Sequence, residues 1–194
     1  MSISTIKHIA IFASGRGSNA EALIKYFEKN KQVSIALIVT NNSKAGIIDI
    51  ANRHQIPLQI ISNESLQQPQ QLLHTLQYFK TDYIVLAGFL RKIPDLLIQH
   101  FPNSIINIHP ALLPKFGGKG MYGNKVHQAV LLAGETTTGI TIHFVNEHYD
   151  EGQIIFQAEV ALNEHETAET ISAKVQALEH EHFAKVVAHT INSQ

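Results

Sequence analysis

Short apolar runs, each followed by a stretch of helical periodicity, constrain this chain's fold more than any other feature. The runs occupy residues 8–13, 33–39, 58–61, 83–87 and 105–108. Several are apolar at successive positions, as in strands covered on both faces of a parallel sheet. Between them, residues 19–28, 45–54, 68–79 and 94–100 have the spacing of amphipathic helices. Pro94 before Asp95 and Pro57 after Gln55 supply start and stop signals. The βαβα order predicts an α/β protein with an open, mostly parallel, doubly wound sheet and right-handed crossovers.

After Pro110 the pattern changes. A glycine-rich loop at 114–123 leads to a helix-like stretch at 126–133. Residues 137–145 and 154–162 alternate like two half-buried strands, an antiparallel pair joined by 146–153 with Asp150 and Gly152 in the turn. A long C-terminal helix is predicted over about 167–189. No repeat or linker interrupts the 194 residues, which read as one domain, with halves 1–100 and 101–194.

Composition removes whole classes of chemistry. The chain has no Cys, which excludes disulfides, thiolate zinc sites, iron–sulfur ligation and a Cys nucleophile. Fifteen basic against sixteen acidic residues give a charge of −1, which argues against nucleic acid or an anionic membrane as partner. No apolar run approaches the ~20 residues of a membrane span and no cleavage-site pattern follows the start, so a cytoplasmic protein is expected.

The segment Ser14-Gly-Arg-Gly-Ser-Asn19 falls between the first strand and the first helix. There the free N–H groups of the helix start can face an anion. Gly15, Gly17 and Ala20 satisfy a dinucleotide spacing, but Thr40-Asn41-Asn42 stands where an acidic residue for the ribose belongs. A monophosphate on Gly17, Ser18 and Asn19 fits better; a tight turn without ligand is the alternative.

Asn107 and His109 lie two apart at the end of a strand, so their side chains share a face at the edge where α/β sheets bind ligands. An amide donor beside an imidazole suits acyl transfer: one stabilises an oxyanion and the other moves a proton. Asp150 is the candidate acid beside His109. The plain alternative is a histidine that merely precedes a proline turn. Neither G-x-S-x-G nor H-E-x-x-H occurs, and the pairs His143/His148 and His180/His182 lack a third ligand, so no metal is expected. His8, His54, His74 and His100 read as surface residues, and His143 as a buried, hydrogen-bonded one.

Six motifs occur in order: Ser14-Gly-x-Gly-Ser-Asn19, Asp82-Tyr-Ile-Val-Leu-Ala-Gly-Phe-Leu-Arg91, Asn107-Ile-His-Pro-Ala-Leu-Leu-Pro114, Gly139-x-Thr-x-His-Phe144, Asp150-x-Gly152 and Gln176-x-x-Glu179-His180. Together they resemble, over essentially the entire chain, the folate-dependent phosphoribosylglycinamide formyltransferase family, whose fold is Rossmann-like. The resemblance implies transfer of a formyl group from 10-formyltetrahydrofolate, as co-substrate, to the glycine amine of glycinamide ribonucleotide in purine biosynthesis. It assigns Gly17, Ser18, Asn19, Gln176 and Glu179 to the ribonucleotide. Leu90, Arg91, Lys92 and Ile93 with Asn146, Glu147, His148, Tyr149 and Asp150 would form the folate pocket, together with Asn107 on the formyl oxygen. His109 would be the proton donor, its pKa raised by Asp150. A formyltetrahydrofolate deformylase of the same superfamily is the alternative. The sequence leaves the oligomeric state open between a monomer and a homodimer.

The sequence departs from that family pattern twice. Residues 116–124 are longer and richer in glycine than expected, with Lys115 and Lys119 placed either to meet a phosphate or to be solvated. An arginine that contacts folate in some members is absent from 63–71.

Overall fold

A computed structural model of the chain describes residues 6–193; residues 1–5 and 194 of the span read as one domain lie outside the described residues. The elements run β1 (Lys7–Phe12), α1 (Ser18–Phe27), β2 (Val33–Thr40), α2 (Ile47–Arg53), β3 (Leu58–Ile60), α3 (Asn63–Gln67), α4 (Gln70–Tyr78), β4 (Tyr83–Leu86), α5 (Asp95–His100), β5 (Ile105–His109), α6 (Asn124–Leu132), β6 (Thr137–Phe144), β7 (Ile154–Ala161) and α7 (Ala168–Asn192). They form two compact units, Met1–Ile106 and Asn107–Gln194, with the boundary inside β5.

In the first unit the strands hydrogen-bond in the order β3-β2-β1-β4, and every one of these pairs is parallel. The apolar runs explain this. Ile9, Ala10, Ile11 and Phe12 are fully shielded from solvent, and all of β4 is buried, so these strands are covered on both faces. Burying each large side chain contributes about 1.5–3 kcal/mol. Helix α1 buries Ala20, Leu23, Ile24 and Phe27, spaced to form one stripe. The Asp82 carboxylate accepts the His8 N–H at 2.7 Å, at the start of the central strand pair. The short α3 had no counterpart in the sequence reading. Its five residues bury nothing and are held by a reciprocal Ser62–Ser65 capping box, so no apolar period announces it.

In the second unit β6 and β7 pair antiparallel, from Thr137 opposite Ala161 to His143 opposite Ile154. Strand β7 alternates as expected, whereas β6 is buried at six successive positions rather than half-buried. A Thr167–Thr170 capping box starts α7, which runs 25 residues and buries Ile171, Val175, Phe183, Val187 and Ile191. No helix among the described residues is long and apolar enough to cross a membrane.

Candidate active site

In the first unit the glycine loop is braced by its own neighbours. Gly17 has φ +85°, and a Cβ there would lie 2.9 Å from the Cδ1 atoms of Ile47 and Ile50, so only glycine lets α1 start this close to α2. No side chain caps α1 at Gly17, and the helix opens with half-buried Ser18 and Asn19. The Ser14 hydroxyl donates to Asn41 Oδ1 at 2.6 Å and accepts the Leu90 N–H at 2.9 Å. The Asn42 amide donates to the Ser14 carbonyl at 3.2 Å. The asparagines that stand where a dinucleotide protein keeps its acid are thus structural props of the loop. The Leu90 bond also fixes the start of the 90–93 segment. Arg91 and Lys92 are exposed, with Lys92 paired to Asp95 at 3.1 Å, whereas the Ile93 side chain is core.

In the second unit a compact polar cluster surrounds the end of β5. His109 is 3% exposed, and its Nδ1 lies 3.5 Å from Asp150 Oδ2. Its Nε2 lies 2.9 Å from the Phe116 carbonyl, which can only accept, so Nε2 carries a hydrogen. His143 is equally buried. Its Nδ1 lies 2.8 Å from the Phe144 carbonyl and therefore holds the ring's hydrogen, leaving Nε2 to accept from Asn107 Nδ2 at 3.1 Å. The same Nε2 stands 3.7 Å from Asp150 Oδ1. The structure thus brings Asn107, His109 and Asp150 together and adds His143 as their common neighbour.

Strand β6 provides the frame. Thr141 and His143 point the same way, two residues apart. The buried Thr141 hydroxyl donates to Ala111 O at 2.7 Å and accepts from Leu113 N at 2.9 Å and Gln157 Nε2 at 2.8 Å, clamping the turn that follows His109. A Cβ on Gly152 would collide with the Phe144 carbonyl, the acceptor that sets the His143 tautomer.

The glycine-rich segment closes on this cluster through its backbone. Phe116 adopts φ +57°, uncommon for a bulky residue, and so presents its carbonyl to His109. The Gly118 N–H donates to Asp150 Oδ2 at 2.9 Å. Asp150 itself has φ +58°. A Cβ on Gly117 would sit 2.5 Å from Leu113 Cδ2 and 3.2 Å from Asp150 Cβ, so a side chain there would have to push the leucine aside. Lys115 pairs with Glu135 at 2.8 Å, and Lys119 is exposed.

Burial drives the His109 pKa below its ordinary value, although Asp150 and the Phe116 carbonyl pull it upward; His143 adds to the lowering. The raised value expected from the sequence is therefore corrected: the aspartate acts in the expected direction, and desolvation exceeds it. For Asp150 burial acts upward, but His143, His109 and the Gly118 N–H together hold the carboxyl below its ordinary value.

Of the remaining predicted positions, Asn146 is half-buried and accepts the His148 N–H at 3.0 Å, while Glu147, His148 and Tyr149 are exposed. Gln176 and Glu179 sit three apart on α7, hence on neighbouring turns of one face. His74 and His100 are exposed as expected, but His8 and His54 are half-buried. His127, on α6, is buried; the sequence reading passed over it, though its spacing from Val130 places it on the same helix face. Among the described residues no group of three His, Cys, Asp or Glu side chains is placed to hold a metal ion.

The sequence profile of the formyl transferase family matches residues 7–187. The chain is 42% identical to the chloroplastic phosphoribosylglycinamide formyltransferase of Vigna unguiculata over 93% of its own length, and it spans 60% of that relative. It is 37% identical to the phosphoribosylglycinamide formyltransferase of Bacillus subtilis, with 94% of this chain and 93% of the relative covered. Among solved structures, the phosphoribosylglycinamide formyltransferase of Bacillus halodurans superposes with a TM-score of 0.86 at 33% identity, covering 93% of each chain.

Proposed function

Because the chain belongs to the formyl transferase family, we propose that it transfers the formyl group of 10-formyltetrahydrofolate to the amino group of glycinamide ribonucleotide. The observation that carries this reading is the polar cluster in which half-buried Asn107 and Asp150 meet buried His143 and His109.

Each group has a definable task. Asn107 Nδ2 carries two hydrogens, and His143 engages one of them. The second is left to stabilise negative charge developing on the formyl oxygen. Loss of a comparable donor costs about 3–4 kcal/mol of transition-state stabilisation. His109 takes the proton that the attacking amine must lose and returns it to the departing nitrogen, and Asp150 steadies the imidazolium in between. When the His109 ring leaves the Phe116 carbonyl its hydrogen passes to Nδ1, facing the Asp150 carboxylate, and the freed Nε2 lone pair meets the reacting atoms. The amine attacks directly, so the chain needs no nucleophile of its own. Holding the two reactants in line supplies roughly 7–11 kcal/mol more.

In this reading Gly17, Ser18, Asn19, Gln176 and Glu179 hold the ribonucleotide. Residues 90–93 and 146–150 hold the folate, through backbone groups where Ile93 is concerned, since its side chain is spent in the core. A cytoplasmic setting and a monomer or homodimer belong to the same proposal.

The test is formyl transfer by the purified chain with and without glycinamide ribonucleotide. Formylated ribonucleotide forming only when the acceptor is present supports the proposal. Formate release at the same rate without the acceptor shows that water is the acceptor and overturns it.

A further inference from the structure

We propose that Ser14 is a positioning residue that couples the two substrates: through its hydroxyl, filling the loop at 17–19 sets the backbone that opens the segment at 90–93; this rests on the transferase reading, which gives those segments to the ribonucleotide and the folate. All the residues involved belong to the first unit. There β1 has β2 on one side and β4 on the other, so the strand order reverses at β1. Open α/β sheets bind ligands in the crevice beyond the strand ends at such a point. Ser14 follows β1 into it, and the chain leaving β4 is bonded to Ser14 there.

Two hydrogen bonds lace the segments together at this one residue. The Ser14 N–H donates to the Gly88 carbonyl at 3.0 Å, and the Ser14 hydroxyl accepts the Leu90 N–H at 2.9 Å. Gly88, at φ +79°, makes the turn that brings Leu90 back to Ser14. The hydroxyl has a single hydrogen, which Asn41 Oδ1 holds at 2.6 Å, so a lone pair is left for Leu90. Beside the joint the Phe12 and Phe89 rings meet edge to face, their centroids 5.3 Å apart. Ser14 is 7% exposed, whereas Gly15 and Arg16 after it, and Leu90, Arg91 and Lys92 across the joint, are all exposed. One buried joint thus ties two exposed segments. An alanine at 14 would keep the bond to Gly88, which uses the main chain; what the serine adds is the link to Leu90. A ligand that orders residues 17–19 steadies Ser14 three residues earlier, and the link carries that order to Leu90. The second ligand then has less to order, which is positive coupling without a change of fold.

The experiment uses the full-length chain with ribose 5-phosphate and tetrahydrofolate as probes. Ribose 5-phosphate lacks the glycinamide group that meets the folate, so coupling between the two probes does not arise from direct contact, and no formyl group is present to react. In the wild-type chain saturating ribose 5-phosphate is expected to lower the tetrahydrofolate Kd about fivefold, and tetrahydrofolate to lower the ribose 5-phosphate Kd by the same factor. Ribose 5-phosphate alone is expected to slow hydrogen exchange at the Leu90 amide. In Ser14→Ala the factor is expected to fall to about one, and exchange at Leu90 to ignore ribose 5-phosphate. Asn41→Ala, which frees the hydroxyl hydrogen to turn toward Leu90, is expected to weaken the coupling and decides the matter if Ser14→Ala does not fold. A serine with a merely structural role would change melting temperature and both Kd values while leaving the factor intact. A wild-type chain that transfers formyl groups but shows no coupling overturns the inference. So does an undiminished factor in Ser14→Ala or, where that variant does not fold, in Asn41→Ala. A wild-type chain that transfers no formyl group overturns the transferase reading instead, so the two failures are told apart.

Discussion

Asn107 Nδ2 donates to Nε2 of His143 across 3.1 Å, and this one contact fixes which way the carboxamide faces. His143 accepts only because the Phe144 carbonyl has claimed its hydrogen at Nδ1. Asn107→Ala is expected to lower kcat by about 10²–10³-fold, the loss seen for comparable oxyanion donors. His143→Ala, which frees the carboxamide without removing it, is expected to cost at least roughly tenfold in kcat with KM nearly unchanged. Because both act through one donor, the double variant is expected to be no slower than Asn107→Ala alone. Additive losses in steady-state kinetics would separate the two residues.

The opposing influences on His109 give a pair of shifts in opposite directions. Asp150 raises its pKa and His143 lowers it, with burial the largest effect. Imidazole titration followed by NMR is expected to move to lower pH in Asp150→Asn and to higher pH in His143→Phe. A common direction for both variants contradicts the electrostatics described above.

Stability carries the same signature. The folded-state pKa values of His109 and His127 both lie below the ordinary 6.5. The unfolded chain therefore binds more protons in the window below 6.5, and stability falls as pH drops through it toward the folded-state values. Asp150, also lowered, adds a further loss only as pH falls below about 3.8. Denaturant midpoints measured from pH 8 to pH 5 are expected to decline below about 6.5, and less steeply in His127→Leu. A flat profile would show that neither ring is held neutral by the fold.

Thr141 serves three partners with one hydroxyl. Thr141→Val keeps the shape and leaves Leu113 N, Ala111 O and the Gln157 amide short of a partner, at about 1–3 kcal/mol for each group not satisfied elsewhere. A fall in melting temperature of roughly 5–10 °C is expected for a chain of this size. The turn it clamps follows His109 directly, so kcat is expected to fall as well. Calorimetry and kinetics on the same preparation check both.

The sheet was legible because its central strands are apolar at successive positions, a pattern that only two-sided burial rewards. Asn107 and His109 were legible as a pair because a strand's period of two puts them on one face. His143 was visible only as a buried residue. The Gly139-x-Thr141-x-His143 spacing carried its direction, but its partners come from β5 and from the turn at Asp150, which no local pattern connects. The contacts of Phe116 and Gly118 were invisible, since they use backbone atoms and leave no trace in side-chain identity. The His109 pKa was misjudged because a carboxylate neighbour can be guessed from sequence, whereas the depth of burial that outweighs it cannot.

The bond from His109 to residue 116 ends on a main-chain oxygen. Exchanging the phenyl ring for another side chain leaves that oxygen where it is, provided the left-handed backbone survives, and glycine would adopt such a backbone with less strain. Gene-wide substitution scans will therefore score position 116 as permissive. Lengthening or shortening the 116–123 loop by one residue moves the oxygen itself, so indels there should uncover a sensitivity that point substitution conceals.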